Sequence, residues 1–168
     1  IITMRSFAEE RRSGSIELLL TSPITDWQLV MGKFFGALTL YATMLGLTLF
    51  HMGILFFYGE PEWQPVLVGY LGLLLLGSGF IAVGLLYSSL TTNQIVAAVA
   101  TFSTFLILWL LEGTETLVGS WGELVSYLSV TKHMAEFTKG VIDSRDVIYY
   151  LSFTALGLFL CRQSIESY

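Results

Sequence analysis

Charge is what this sequence has least of. Only 12% of its 168 residues are Asp, Glu, Lys or Arg, against 54% hydrophobic, and the mean hydropathy is +0.72. A soluble domain carries about a quarter charged residues. A chain this poor in charge cannot cover its surface in water, so it reads as membrane-resident. Basic residues are outnumbered, 8 against 13 acids, for a formal net charge of −5 and a pI near 4.9. That balance argues against non-specific nucleic-acid binding. Cysteine is almost absent: Cys161 is the single one, which excludes an internal disulfide and a cysteine-based metal cluster. Placed at the end of an apolar run, it reads as a buried thiol, with reversible acylation as the alternative. Histidine occurs twice, at His51 and His133, without HExxH-type spacing, so no metal site is expected. The first residues lack the basic, apolar and small-residue succession of a signal peptide. With Ile1 in first position, further chain upstream is expected.

Catalytic patterns are missing as well. Gly32-Lys33-Phe34 is the only Gly-Lys that opens into a helix-like run, and it lacks the upstream glycine and the Ser/Thr of a phosphate loop. Any ATP chemistry therefore belongs to another polypeptide. No Ser–His–acid set is recognisable, which disfavours an intramembrane enzyme, and nothing resembles a channel filter. The chain is read as non-enzymatic and as needing no cofactor of its own.

What is abundant is apolar sequence. Four stretches, 34–58, 65–86, 95–111 and 147–161, reach or approach the length of about 20 residues that crosses a bilayer. Each should be helical, because a lone segment in lipid must satisfy its backbone hydrogen bonds internally. The expected fold is an all-α integral membrane protein, one transmembrane domain over 1–168 with four transmembrane helices. Arg5, Arg11, Arg12 and Lys33 precede the first stretch and Arg162 follows the fourth, so the basic-side rule puts both ends in the cytoplasm. The 59–63 loop, with Glu60 and Glu62, then lies outside. Lys132, Lys139 and Arg145 fall on that outer side too, against the rule. Trp63, Trp109 and Trp121 lie near the outer boundary, as interface aromatics should.

Region 112–146 is not a simple loop. "TLVGSWGELVSYLSV" and "HMAEFTKGVI" are too short and too polar to cross, and are expected to be interfacial or re-entrant. Re-entrant backbone must pack on protein or line a water-filled space, which hints at an outer vestibule. Glu112 should be an interface residue. His51 is the one ionisable residue near the middle of a stretch, and reads as an interhelical hydrogen-bond partner or as a pathway residue. Gly32 and Gly36, and Gly77 and Gly84, form small-residue stripes that suit close helix packing, within the chain or between copies.

The segment "AEERRSGSIELLLTSPITDWQLVMGK" is charged, then apolar, then turn-like. Thr25 can cap a helix while Gln28 reaches back to its amide, a capping box, with Ile24 and Leu29 as the accompanying staple and Asp26 at the positive end of the dipole. Pro23 stops what precedes. A helix over 26–58 is predicted, roughly 50 Å long against a bilayer core of about 30 Å. Upstream, Ile16, Leu18, Leu19 and Leu20 make an apolar knob with Glu17 beside it. That knob either lies in the headgroup region as a surface helix or docks into a soluble partner.

Here the residues meet a known pattern. "FAEERRSGSIELLLTSPITDWQLVMGKF" resembles the cytoplasmic segment after the first span in permease subunits of type-2 ABC exporters, closest to the gliding-motility-type and nitrous-oxide-reductase-maturation-type permeases. The pattern falls on Glu10, Arg11, Gly14, Ser15, Glu17, Leu18, Leu19, Thr21, Ser22, Pro23, Gly32 and Lys33. "HMAEFTKGVIDSRDVIYYLSF" is similar to the stretch leading into the last span of the gliding-type proteins. The resemblance implies six spans, so the chain is expected to lack the first. It implies a coupling element, Glu10 through Pro23 with Ile16 included, that docks on an ATP-binding subunit. The helix that begins at Thr25 and Gln28 would be the lever. It also implies ATP and magnesium held by that partner, pairing with a second permease copy or a sister permease, and residence in a bacterial inner membrane. A membrane scaffold that no longer moves a solute is the alternative.

Overall fold

Helix is the only regular secondary structure among the described residues, 3–14, 24–59, 62–110 and 129–166, of this computed structural model. The helices are α1 (Met4–Ser13), α2 (Asp26–Tyr58), α3 (Trp63–Leu90), α4 (Gln94–Leu110), α5 (Val130–Thr138) and α6 (Ser144–Glu166).

Local chemistry explains most of their ends. α2 runs 33 residues from the Thr25 cap to Gly59, whose N–H closes onto the Leu55 carbonyl at 2.9 Å. Asn93 Oδ1 accepts the Ile95 amide at 2.9 Å and starts α4. Asp143 does the same for α6, its Oδ1 accepting the Arg145 amide at 2.9 Å. α5 ends in a Schellman turn: the Gly140 amide donates to the Phe137 carbonyl at 3.1 Å and the Val141 amide to the Glu136 carbonyl at 3.2 Å. Gly140 sits there at φ +80°, and a Cβ on it would press on Pro65 at 3.1 Å, so both the backbone and the space call for glycine.

α3 is the hub, packed against α1, α2, α4, α5 and α6. Two apolar cores line it. Near the foot of α2, Phe7, Val30, Phe34, Ile81, Leu85, Leu158 and Cys161 pack together. At the other end Val68, Val83, Phe105, Val130, Phe137 and Tyr150 form the second core, where Phe105 stacks on Phe80 at 3.5 Å between centroids.

The sidedness is that of a bundle built for lipid. Small and hydroxylated residues face inward: Gly77, Ser78, Gly79, Gly84, Ser88 and Ser89 on α3 and Thr154, Gly157 and Ser164 on α6 are buried. Large apolar residues face outward, among them Leu47, Phe50, Phe57, Ile95 and Phe102. Without a hydrophobic drive between helices, small residues that let backbones approach and hydroxyls that bond across are what hold such a bundle. Ser78 and Thr154 share a hydrogen bond at 3.1 Å, Tyr87 and Thr104 one at 2.8 Å, and the Tyr41 hydroxyl donates to the Leu73 carbonyl at 2.9 Å.

The helices outrun the apolar stretches that announce them. α3 covers 63–90 where apolarity alone marks 65–86, and α6 covers 144–166 where it marks 147–161. In α6 the Asp143 cap adds a turn at the start, and Ser164 and Ile165 bury against the bundle at the end. Among the described residues α2 and α3 are long and apolar enough to cross a membrane by length and composition, while α4 is apolar but 17 residues long. Of region 112–146, the described part holds α5, which lays Phe137 and Met134 against Gly72 of α3; residues 112–128, Trp121 included, lie outside the described residues.

Candidate functional site

The foot of the bundle is built from α1, the start of α2 and the end of α3. α1 stops at Gly14, in the left-handed region at φ +73°. Ser15, Ile16, Glu17, Leu18, Leu19, Thr21, Ser22 and Pro23 lie outside the described residues, and the chain resumes at Ile24. At Thr25 the reciprocal cap is formed: Thr25 Oγ1 accepts the Gln28 amide at 3.3 Å and Gln28 Oε1 accepts the Thr25 amide at 3.1 Å. The 15–23 segment is thus bracketed by two helices with defined ends.

Those helices are fastened to one another. Glu10 on α1 and Lys33 on α2 form an ion pair at 2.6 Å, with side chains 27% and 16% exposed. Lys33 Nζ also lies 4.5 Å from the centre of the Phe7 ring, within cation–π range. Phe7 is fully buried, and the amides of Phe7 and Ala8 both donate to Ser88 Oγ of α3 at 3.0 Å. Lys33 is turned toward α1, where Glu10 and the Phe7 ring hold its ammonium. Beside the foot of α2 an open cleft is lined by Ile24, Thr25, Asp26, Trp27, Phe159 and Arg162.

At the opposite end a second polar cluster is buried. His133 Nδ1 on α5 lies 2.6 Å from Asp146 Oδ1 on α6, with side chains 5% and 9% exposed. The imidazole stacks on Tyr149 at 4.0 Å, and the Tyr150 hydroxyl donates to the Val130 carbonyl at 2.8 Å. Asp146 Oδ2 is buried without a hydrogen bond among the described residues. The cluster ties the short helix α5 to the first turns of α6.

Other predicted positions separate. His51 is exposed on α2, with no hydrogen bond among the described residues; one turn earlier, Thr48 makes the interhelical bond instead, to Tyr70 at 2.8 Å. A Cβ at Gly77 would collide with the Tyr41 ring and one at Gly84 with Thr3, so these two glycines serve close packing inside the chain. Gly32 and Gly36 meet nothing within 4 Å and leave an open strip on α2. Cys161 is buried.

Residues 1–161 match the family model of the ABC-2 family transporter proteins. The chain belongs to the ABC-2 transporter family. It is 30% identical over 144 residues to the probable multidrug ABC transporter permease YbhR of Escherichia coli strain K12, and equally to that of Escherichia coli O157:H7; each match covers 84% of this chain. The chain spans 39% of the length of those relatives. No solved structure is a significant match. As an ABC-2 chain the molecule is a membrane protein.

Two features of this ABC-2 chain are not visible in the linear pattern. Glu10 and Lys33 are 23 residues apart, and only their membership of one motif hints at a meeting. His133 and Asp146 look like loop residues. The available signal is an acid one turn inside an apolar helix, in "DVIYYL", preceded by a lone histidine on a short amphipathic stretch.

Proposed function

We propose that this chain is the core of the permease subunit of an ATP-driven ABC exporter, in a bacterial cytoplasmic membrane. In this reading α2, α3, α4 and α6 cross the bilayer, and the foot that carries 15–23 faces the cytoplasm. A separate ATP-binding subunit, which holds ATP and magnesium, docks there. A second copy or a sister permease completes the pathway, and the open Gly32–Gly36 strip of α2 is available for that contact. The motif's likeness to gliding-motility-type and nitrous-oxide-reductase-maturation-type permeases belongs to this proposal. So does export as the direction of transport.

The observation that carries the reading is mechanical. In the chain, residues 15–23 join the end of α1 at Gly14 to the capped foot of α2 at Thr25, and α2 is a continuous rod of roughly 50 Å. A stroke applied at its foot is delivered across the membrane without a flexible joint on the way.

The test is a photocrosslinking residue at Leu19 in the full-length permease, expressed with its operon neighbours in native membranes. The expected adduct is a protein carrying a phosphate loop. Adducts to phospholipid alone would make 15–23 a surface helix and end the coupling reading. With the docking face intact only in part, Glu17→Ala with Leu19→Ala should leave ATP hydrolysis running and abolish its link to movement of α2.

A further inference from the structure

We infer that Glu10 and Lys33 are positioning residues that form the mechanical joint of the coupling element, welding α1 to α2 so that a push on 15–23 moves both helices as one body. The inference rests on the permease reading above and assigns within it a role to two motif residues that do not face the partner.

Three observations converge. The ion pair is short, 2.6 Å, and its side chains are largely withdrawn from solvent, where a charge pair is screened less than on an open surface. The ammonium is held a second time by the Phe7 ring at 4.5 Å. Phe7 itself is fixed, fully buried in the core with Val30 and Phe34 of α2 and Leu85 of α3, and its amide donates to Ser88. The pair therefore sits where α1, α2 and α3 meet.

Its place along the chain gives it a job. Glu10 lies four residues before Gly14, the left-handed end of α1, and Lys33 lies two turns above the Thr25 cap. The two helices that flank 15–23 in the chain are thus fastened to one another. Without the clamp a push would be absorbed by hinging at Gly14 or by α1 sliding along α2. With it, a push delivered through 15–23 is passed to the rod. Glu10 is spent inside the chain, so the acid of the motif works on the lever and not on the partner's surface.

The experiment uses the full-length permease with its ATP-binding partner in proteoliposomes. Cys161→Ser, serine in place of any cysteine elsewhere in the full-length permease, and Phe57→Cys leave one reporter thiol at the far end of α2, where Phe57 is 84% exposed. The readout is the ratio of maleimide labelling rates with and without ATP and vanadate. Lys33→Gln and Glu10→Gln should copurify with the partner and hydrolyse ATP while this ratio falls about fivefold or more toward unity, the scale of a coupling energy of about 1 kcal/mol or above. The exchanged pair, Glu10→Lys with Lys33→Glu, should recover more than half of the ratio, incompletely because an anion over the Phe7 ring is not attractive. Glu10→Gln, which keeps shape and one hydrogen bond, supplies the graded measurement if Lys33→Gln does not assemble. Single variants with an unchanged ratio overturn the joint, and so does an exchanged pair no better than either single. A flat ratio in the unsubstituted complex overturns the permease reading itself, and the joint with it.

Discussion

His133 and Asp146 show what a single contact does in this bundle. Their 2.6 Å pair is nearly dry, and a buried charged group that loses its partner is costly while the intact pair adds little over an apolar one. Asp146→Ala should therefore lower stability by about 2–3 kcal/mol, read as a drop in unfolding temperature in detergent. Asp146→Asn keeps an oxygen for the imidazole N–H and should lose clearly less. Equal losses would mean that the pair is not what ties α5 to α6. Neither residue advertises itself in the sequence, because the contact is made between two elements and the linear pattern records only the period within one. Gly77 is a similar case: as a stripe residue it suits any close contact, and only the fold reveals that the contact is the Tyr41 ring.

Elements were more legible than contacts. The start of α2 is written in Thr25, Asp26 and Gln28, since a cap is chemistry between residues three apart, and the helix begins there. Thr25→Ala should cost about 1 kcal/mol locally. Amide exchange at Gln28 and Leu29 should quicken about fivefold while amides in the middle of α2 keep their rates. Uniform acceleration along the whole helix would contradict a local cap. The end of α5 was equally available in principle, in Lys139-Gly140-Val141, but a Schellman turn is only distinguishable from a loop glycine once the helix before it is recognised. That helix is nine residues, Val130–Thr138, with three buried anchors, Val130, His133 and Phe137. Phe137 packs over Gly72 of α3, where a Cβ would stand 2.8 Å from it, a contact with no trace within the segment itself. α6 is longer than its apolar run, held at one end by the local Asp143 cap and at the other by burial of Ile165.

At the scale of the molecule the question is which helices lie in lipid. α6 has the mixed composition of a boundary case, yet Ile148, Leu151, Leu156 and Phe159 point outward while Tyr150, Thr154, Gly157 and Leu158 point into the bundle. Leu156→Arg sets an arginine on that outward face near the helix centre. A crossing helix should lose about 2.5–3.5 kcal/mol of insertion free energy, visible in a glycosylation-mapping assay as a fall in the fraction of chains with α6 across the membrane. An unchanged fraction would take α6 out of the bilayer. Composition alone determined that this chain belongs in a membrane and is helical there, because 12% charge cannot clothe a soluble surface and unpaired backbone is not tolerated in lipid. Short-range chemistry determined where α2 starts, because a cap and its amides are neighbours in the chain. Only the tertiary structure decided that Glu10 meets Lys33, that Asp146 meets His133, and that Gly77 and Gly84 face inward while Gly32 and Gly36 do not. Those outcomes depend on how helices are rotated against one another, and a helix's own sequence does not fix its rotation when nearly every face of it is apolar.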